Sequence, residues 1–181
     1  MVFEYILRMS YAVSIKNAFD IKCGGLYMVS RIKKLVMDVD GTLTDGKIYM
    51  SNSGELMKAF NIKDGCGIHD ILIPAGIIPV IITGRESEIV LNRCRELGIT
   101  EVHQGVSNKI KKLMSITEEL STVAYIGDDI NDFPCMEAIK GAGGIIGCPA
   151  DAVEKVRKVA DYVAGHNGGD GAVRDFIEWL I

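Results

Sequence analysis

Residues 32–46, IKKLVMDVDGTLTDG, run from an apolar stretch into turn chemistry, and their reading decides the fold. A short β-branched run that ends in Asp and Gly is the pattern of a parallel strand covered on both faces. Three later stretches repeat it: GIIPVIITG (76–84), VAYIGDD (123–129) and GGIIG (143–147). Helical patterns lie between them. SEIVLNRCRELG (87–98) starts at a capping Ser87 and stops at Gly98, and NKIKKLMSITEEL (108–120) and DAVEKVRKVADYV (151–163) each carry an apolar face. Strand and helix alternating in this way predict an α/β fold, a Rossmann-like doubly wound parallel sheet with crossover helices. Two segments interrupt the alternation. Residues 46–62 read as a small β-hairpin turning at Ser51–Gly54, and 165–174, GHNGGDGAVR, as a Gly-rich loop before a last helix.

The 181 residues suit one domain better than two, with apolar and charged shares of an ordinary globular protein. The net charge of −4 is spread among interspersed residues, so no basic block points to nucleic acid or an anionic membrane. Five scattered cysteines without CxxC spacing indicate neither a zinc site nor a redox motif, and fit reduced thiols in a cytoplasmic protein. The start, MVFEYILRMSYAVSI, is too interrupted by Glu4 and Arg8 for a signal peptide. Residues 1–29 are therefore expected to be an N-terminal extension, with Met28 a candidate natural start, and 30–181 the domain.

In open α/β sheets ligands sit at the carboxyl ends of the strands. There the sequence places Asp38 and Asp40, then Thr83, then Asp128 and Asp129, with Lys109 opening a helix beside them. Asp38 and Asp40 share a side of the strand by alternation, with Val39 turned away. Close carboxylates repel unless a cation lies between them, and an oxygen-only donor set favours Mg²⁺ over zinc. With Lys109 and the Thr83 hydroxyl available for phosphate oxygens, the set suits in-line displacement at phosphorus.

DVDGTLTDG (38–46) resembles the first motif of the haloacid dehalogenase superfamily. ITGR (82–85), SNK (107–109) and GDDIND (127–132) are similar to its second, third and fourth motifs, in the right order. The resemblance implies Asp38 as nucleophile and Asp40 as the acid/base that serves leaving group and water in turn. It also implies Asp38, the backbone carbonyl of Asp40, and Asp128 as Mg²⁺ ligands. Thr83, Gly84 and Lys109 would bind phosphate, with Asp129 and Asp132 in support. The hairpin is too small for a cap domain, so the chain resembles the capless branch. TDGKIY (44–49), NIKDGCGI (61–68), TGRES (83–87) and GGDGAVR (168–174) are similar to 3-deoxy-D-manno-octulosonate 8-phosphate phosphatases. In that family four subunits associate through their hairpins and help close each other's sites. The likeness implies a homotetramer, and implies Lys63, Asp64, Gly65, Arg85 and Arg174 around a phosphorylated sugar acid.

Alternatives from other classes stay open. Phosphatases of sialic-acid-type 9-phosphates share the framework, and Arg85 leans toward the eight-carbon acid. A receiver module would place its acidic pair before a separate phosphorylated Asp, an order this chain does not follow. A non-catalytic module linked to sialic-acid activation would be expected to have lost Asp38 or Asp40. An EF-hand reading of DVDG fails because Thr42 and Leu43 stand where that loop needs a carboxylate or amide and Gly.

Overall fold

A computed structural model describes residues 31–181, so the expected extension and its Met28 lie outside the described residues. Ile32–Ile181 forms a compact unit. Its sheet contains β1 (Lys34–Met37), β4 (Ile78–Ile82), β5 (Glu101–His103), β6 (Val123–Ile126), β7 (Ile145–Cys148) and β8 (Tyr162–Val163). They run in the order β5-β4-β1-β6-β7-β8, and every pairing is parallel. The helices are α1 (Ile62–Cys66, continued by a wider π turn over Gly67–Leu72), α2 (Glu88–Glu96), α3 (Lys109–Ile116), α4 (Phe133–Gly141), α5 (Glu154–Arg157) and α6 (Ala172–Leu180). Strand alternation divides the core between the two faces. Leu35, Met37 and Ile81 pack with Leu72, Phe176 and Ile177 on one side. Val36, Val80 and Tyr125 pack with Leu113, Met136 and Val156 on the other.

The small hairpin, β2 (Tyr49–Ser51) and β3 (Gly54–Met57), forms a separate antiparallel pair where it was expected. A bridge between Thr44 and Phe60 closes its base. The pattern over 151–163 misled in part. Only Glu154–Arg157 is helical, and Tyr162–Val163 leaves it to pair with β7. Asp161 explains the break: its amide donates to the Ile146 carbonyl, and its carboxylate accepts from the Ile146 amide at 2.9 Å. The edge strand also receives Trp179, whose ring stacks on Tyr162 at 4.7 Å and docks α6. Cys94, Cys135 and Cys148 are buried and unpaired, and burial pushes their thiols up to about 11, 12 and 11. Among the described residues no helix is long and apolar enough to cross a membrane.

Candidate active site

β1 and β6 are adjacent and in register, so the loops that leave them meet. Asp38 follows β1, its amide still bonded to the Ile126 carbonyl, and its side chain is buried. The chain then turns at Gly41, which sits at φ +97°. A Cβ there would lie 2.1 Å from Asp128 Oδ2, so glycine is what lets the two acidic loops approach. The Thr42 hydroxyl donates to Asp128 Oδ1 at 3.0 Å and fixes the second carboxylate.

Lys109 enters from the start of α3. Its side chain is 3% exposed, with Nζ 2.8 Å from Asp38 Oδ1 and 2.7 Å from Asp132 Oδ1. Asp132 is wholly engaged: Oδ1 also accepts from the Tyr125 hydroxyl at 2.6 Å, and Oδ2 from the Asp128 and Asp129 amides. Asp38, Asp128 and Asp132 bring oxygens within 4.8 Å of one another. With the Asp132 lone pairs taken, Asp38 and Asp128 are the two carboxylates left to a cation. Two carboxylates with no nitrogen or sulfur donor suit a hard ion such as Mg²⁺. Thr83 ends β4 buried, its amide and carbonyl tied to His103 and Val106, while Gly84 is exposed beside it.

Burial, then the Asp132 charge, raises the Asp38 carboxyl to about 7 against the pull of Lys109. Burial, then the charges of Asp38 and Asp132, raises Asp128 to about 7 as well. Burial opposes the Lys109 charge, yet Asp38 and Asp132 outweigh it and hold that lysine above its ordinary value. A raised carboxyl means that the folded, metal-free protein binds more protons than the unfolded chain between about pH 4 and 7. Stability without metal is therefore expected to fall as pH rises through that window. Mg²⁺ binding releases protons from this pair of carboxyls below about pH 7, so its affinity should be at least about 10-fold weaker at pH 6 than at pH 8. Calorimetric titration at the two pH values checks this, and equal affinities would contradict the coupling.

Asp40 is flanked by cations. Lys58 from the end of the hairpin contacts Oδ1, and Arg85 Nε lies 3.9 Å from Oδ2. Arg85 thus reaches Asp40. The other residues expected near the substrate divide. Lys63 and Arg174, with His166, line a cleft of about 290 Å³ whose walls include neither Asp38 nor Lys109. Asp64 does not face that space. It is buried and accepts the Gly171 and Arg174 amides at 3.3 and 2.8 Å, capping α6 from a distance. Burial raises its carboxyl despite those bonds. Gly65 is buried too, and a Cβ there would lie 2.3 Å from Arg93 Nη2, so its smallness serves packing. Asp129 is exposed and accepts from the Ile130 amide at 2.7 Å.

Sequence reading missed Tyr125 and Lys58. The tyrosine was visible as the lone hydroxyl in VAYI, a strand otherwise apolar. No comparable signal marked Lys58, since strict alternation would turn it outward with the exposed Leu56. The Gly-rich tail adds a last contact. The Gly169 amide donates to the Thr42 carbonyl at 3.0 Å, and a Cβ on Gly168 would lie 1.8 Å from the Gly41 oxygen.

No family model matches the chain. The 3-deoxy-D-manno-octulosonate 8-phosphate phosphatase of Escherichia coli K12 is 45% identical over 154 residues, 83% of this chain and 79% of that protein. The Yersinia pestis enzyme of the same name is 40% identical over 156 residues, 84% of this chain and 81% of that one. Among solved structures, the Moraxella catarrhalis phosphatase in complex with magnesium, phosphate and the sugar acid superposes with a TM-score of 0.79. It is 38% identical, covering 87% of this chain and 90% of that chain. A Legionella pneumophila structure named for the haloacid dehalogenase superfamily gives 0.73 at 33% identity, with 90% of each chain covered. At 40–45% identity over more than four fifths of its length, and with the same fold as these solved structures, the chain belongs to the 3-deoxy-D-manno-octulosonate 8-phosphate phosphatase family of the haloacid dehalogenase superfamily.

Proposed function

We propose that the chain is a Mg²⁺-dependent phosphatase that hydrolyses 3-deoxy-D-manno-octulosonate 8-phosphate, a step of lipopolysaccharide biosynthesis, through an aspartyl-phosphate on Asp38. The buried Lys109 ammonium, 2.8 Å from Asp38 and closed off by Asp132, is the observation that carries this reading. Asp38, Asp128 and the Asp40 carbonyl hold the cation. When bound, Mg²⁺ neutralises charge on the nucleophile and the phosphate. Lys109, Thr83 and Gly84 hold phosphate oxygens, and Asp132 keeps Lys109 aimed, with Asp129 in support. An Asp38 oxygen attacks phosphorus while Asp40 gives its proton to the departing sugar oxygen. Asp40 then takes a proton from the water that attacks the aspartyl-phosphate, and Asp38 is freed.

Arg85 is a cation at the cluster for the sugar carboxylate, and guanidinium–carboxylate pairing is the strong form of such contacts. Lys63 and Arg174 offer further positive charge in the neighbouring cleft. Phosphate release from the octulosonate 8-phosphate and from N-acetylneuraminate 9-phosphate, each with Mg²⁺ or EDTA, tests the reading. Magnesium-dependent release that prefers the 8-phosphate is expected, and release from neither ester would overturn it.

The assembly is a homotetramer joined through the hairpins, and the protein works in the cytoplasm with its thiols reduced. Ile48, Met50, Leu56, Met57 and Ile62 are all exposed on or beside the hairpin, the composition of a surface that other copies cover. The double substitution Met50→Glu, Leu56→Lys is expected to shift the particle from four chains to one. Light scattering after size exclusion checks this, and an unchanged mass would exclude the hairpin as the contact.

A further inference from the structure

Lys58 is a buried cation without a part in the scheme above. Its side chain is 3% exposed, and its ammonium contacts Asp40 Oδ1 and lies 3.2 Å from Glu55 Oε1. Removing an ammonium from water is costly unless carboxylates surround it closely. Here a second layer secures one of them. Glu55 Oε1 also accepts from Arg85 Nη2 at 3.2 Å, and Oε2 accepts from the Ser87 hydroxyl.

Ser87 supplies an independent observation. It is the N-cap residue of α2, where a serine oxygen ordinarily accepts a backbone amide of the first turn. Its side chain makes no such capping bond and instead donates to Glu55. Hairpin and β4–α2 loop, far apart in sequence, thus converge on one lysine and hold it against one oxygen of Asp40. Arg85 Nε, 3.9 Å from the other oxygen, is beyond hydrogen-bonding distance.

We propose that Lys58, oriented by Glu55 and Ser87, is a positioning residue that assigns the two oxygens of Asp40 to different tasks. The inference rests on the acid/base role of Asp40. Lys58 holds Oδ1, so the carboxyl group cannot turn over, and Oδ2 exchanges the proton. In the first step the Oδ2 proton moves to the bridging ester oxygen as its bond to phosphorus breaks and the Asp38–phosphorus bond forms. In the second, Oδ2 takes a proton from water as the water–phosphorus bond forms and the Asp38–phosphorus bond breaks. Lys58 stays on Oδ1 in both steps and takes no part in the proton exchange.

A series of aryl phosphates of graded leaving-group pKa, with the sugar-acid ester as its alkyl end, tests this on the intact Mg²⁺-loaded protein. Loss of a positioned acid matters most for a poor leaving group. Lys58→Met should lower kcat/KM about 100-fold or more for the alkyl ester but less than about threefold for p-nitrophenyl phosphate, steepening the dependence on leaving-group pKa. Glu55→Gln should steepen it less, and Lys58→Arg should restore part of the slope. A uniform loss across the series would overturn the proposal, since a collapsed hairpin or a lost phosphate contact slows every ester alike. If Lys58→Met does not fold, Glu55→Gln and Ser87→Ala carry the same comparison, and unchanged slopes in both overturn it. Asp40→Asn separates the two levels. A steepened slope there with a uniform loss in Lys58→Met sinks only the positioning role, whereas a uniform loss in Asp40→Asn sinks the acid/base reading and this inference with it.

Discussion

Asp38→Asn is expected to lower kcat for the sugar-acid phosphate by at least about 10⁴-fold, because an amide oxygen is too weak a nucleophile to take the phosphoryl group. The substitution is nearly isosteric in a buried position, and Asp132 keeps Lys109 in place from the other side. Fold and assembly should therefore survive. At pH 8 without Mg²⁺, Tm should be unchanged or higher, since an ionised Asp38 repels Asp132 and Asp128 there. Rapid quench with ³²P-labelled ester should trap label on the wild-type chain and none on the variant. Activity within about 100-fold of wild type would contradict covalent catalysis by Asp38.

Lys109→Met should damage both rate and stability. It removes the ammonium shared by Asp38 and Asp132 and leaves Asp128 as a third carboxylate in the same space. Breaking a buried pair from one side typically costs about 3–5 kcal/mol, because the remaining charge stays buried without a partner. The loss should be larger at pH 8 than at pH 5, where Asp38 and Asp128 are protonated and need no cation. Urea unfolding at the two pH values measures the difference. An equal loss at both would mean that Asp38 and Asp128 do not set the contribution of Lys109. Turnover should fall by at least about 10³-fold even when the variant is folded, since a phosphate-holding charge is lost from a site shielded from water.

Three of the parallel strands, β1, β4 and β6, were legible because they announce themselves twice, as apolar runs and as the acidic or hydroxyl residues that follow them, whereas Glu101–His103 carries no such signal. Asp38, Thr83 and Asp128 could be named for the same reason, and Lys109 because it opens the helical pattern over 108–120. Lys58 resisted because its place depends on how the hairpin folds over the site, while alternation from the exposed Leu56 points it to solvent. Asp64 and Gly65 sit in a recognisable segment, NIKDGCGI, but a motif does not say which way a side chain points. Their tasks are set by α6 and Arg93, which are remote in sequence. The strand at Tyr162–Val163 was hidden because Val and Ala at helical spacing also suit a short edge strand.

The tail has a consequence for biosynthesis. Asp64 and the amide it caps stand 110 positions apart, and Gly168–Gly169 closes on the loop that carries Asp38, the proposed nucleophile. On the ribosome that loop emerges early and waits for its last backbone partner until the C-terminal segment is made. Contacts of such long range form late, after most of the chain entropy has been lost. A chain clipped before Gly168 would leave that loop without these contacts and would also uncover Leu35, Met37 and Ile81, which pack on Phe176 and Ile177. Seating of the Asp38–Thr42 loop is thus tied to chain that is made long after it, so that one site couples the two ends of the domain.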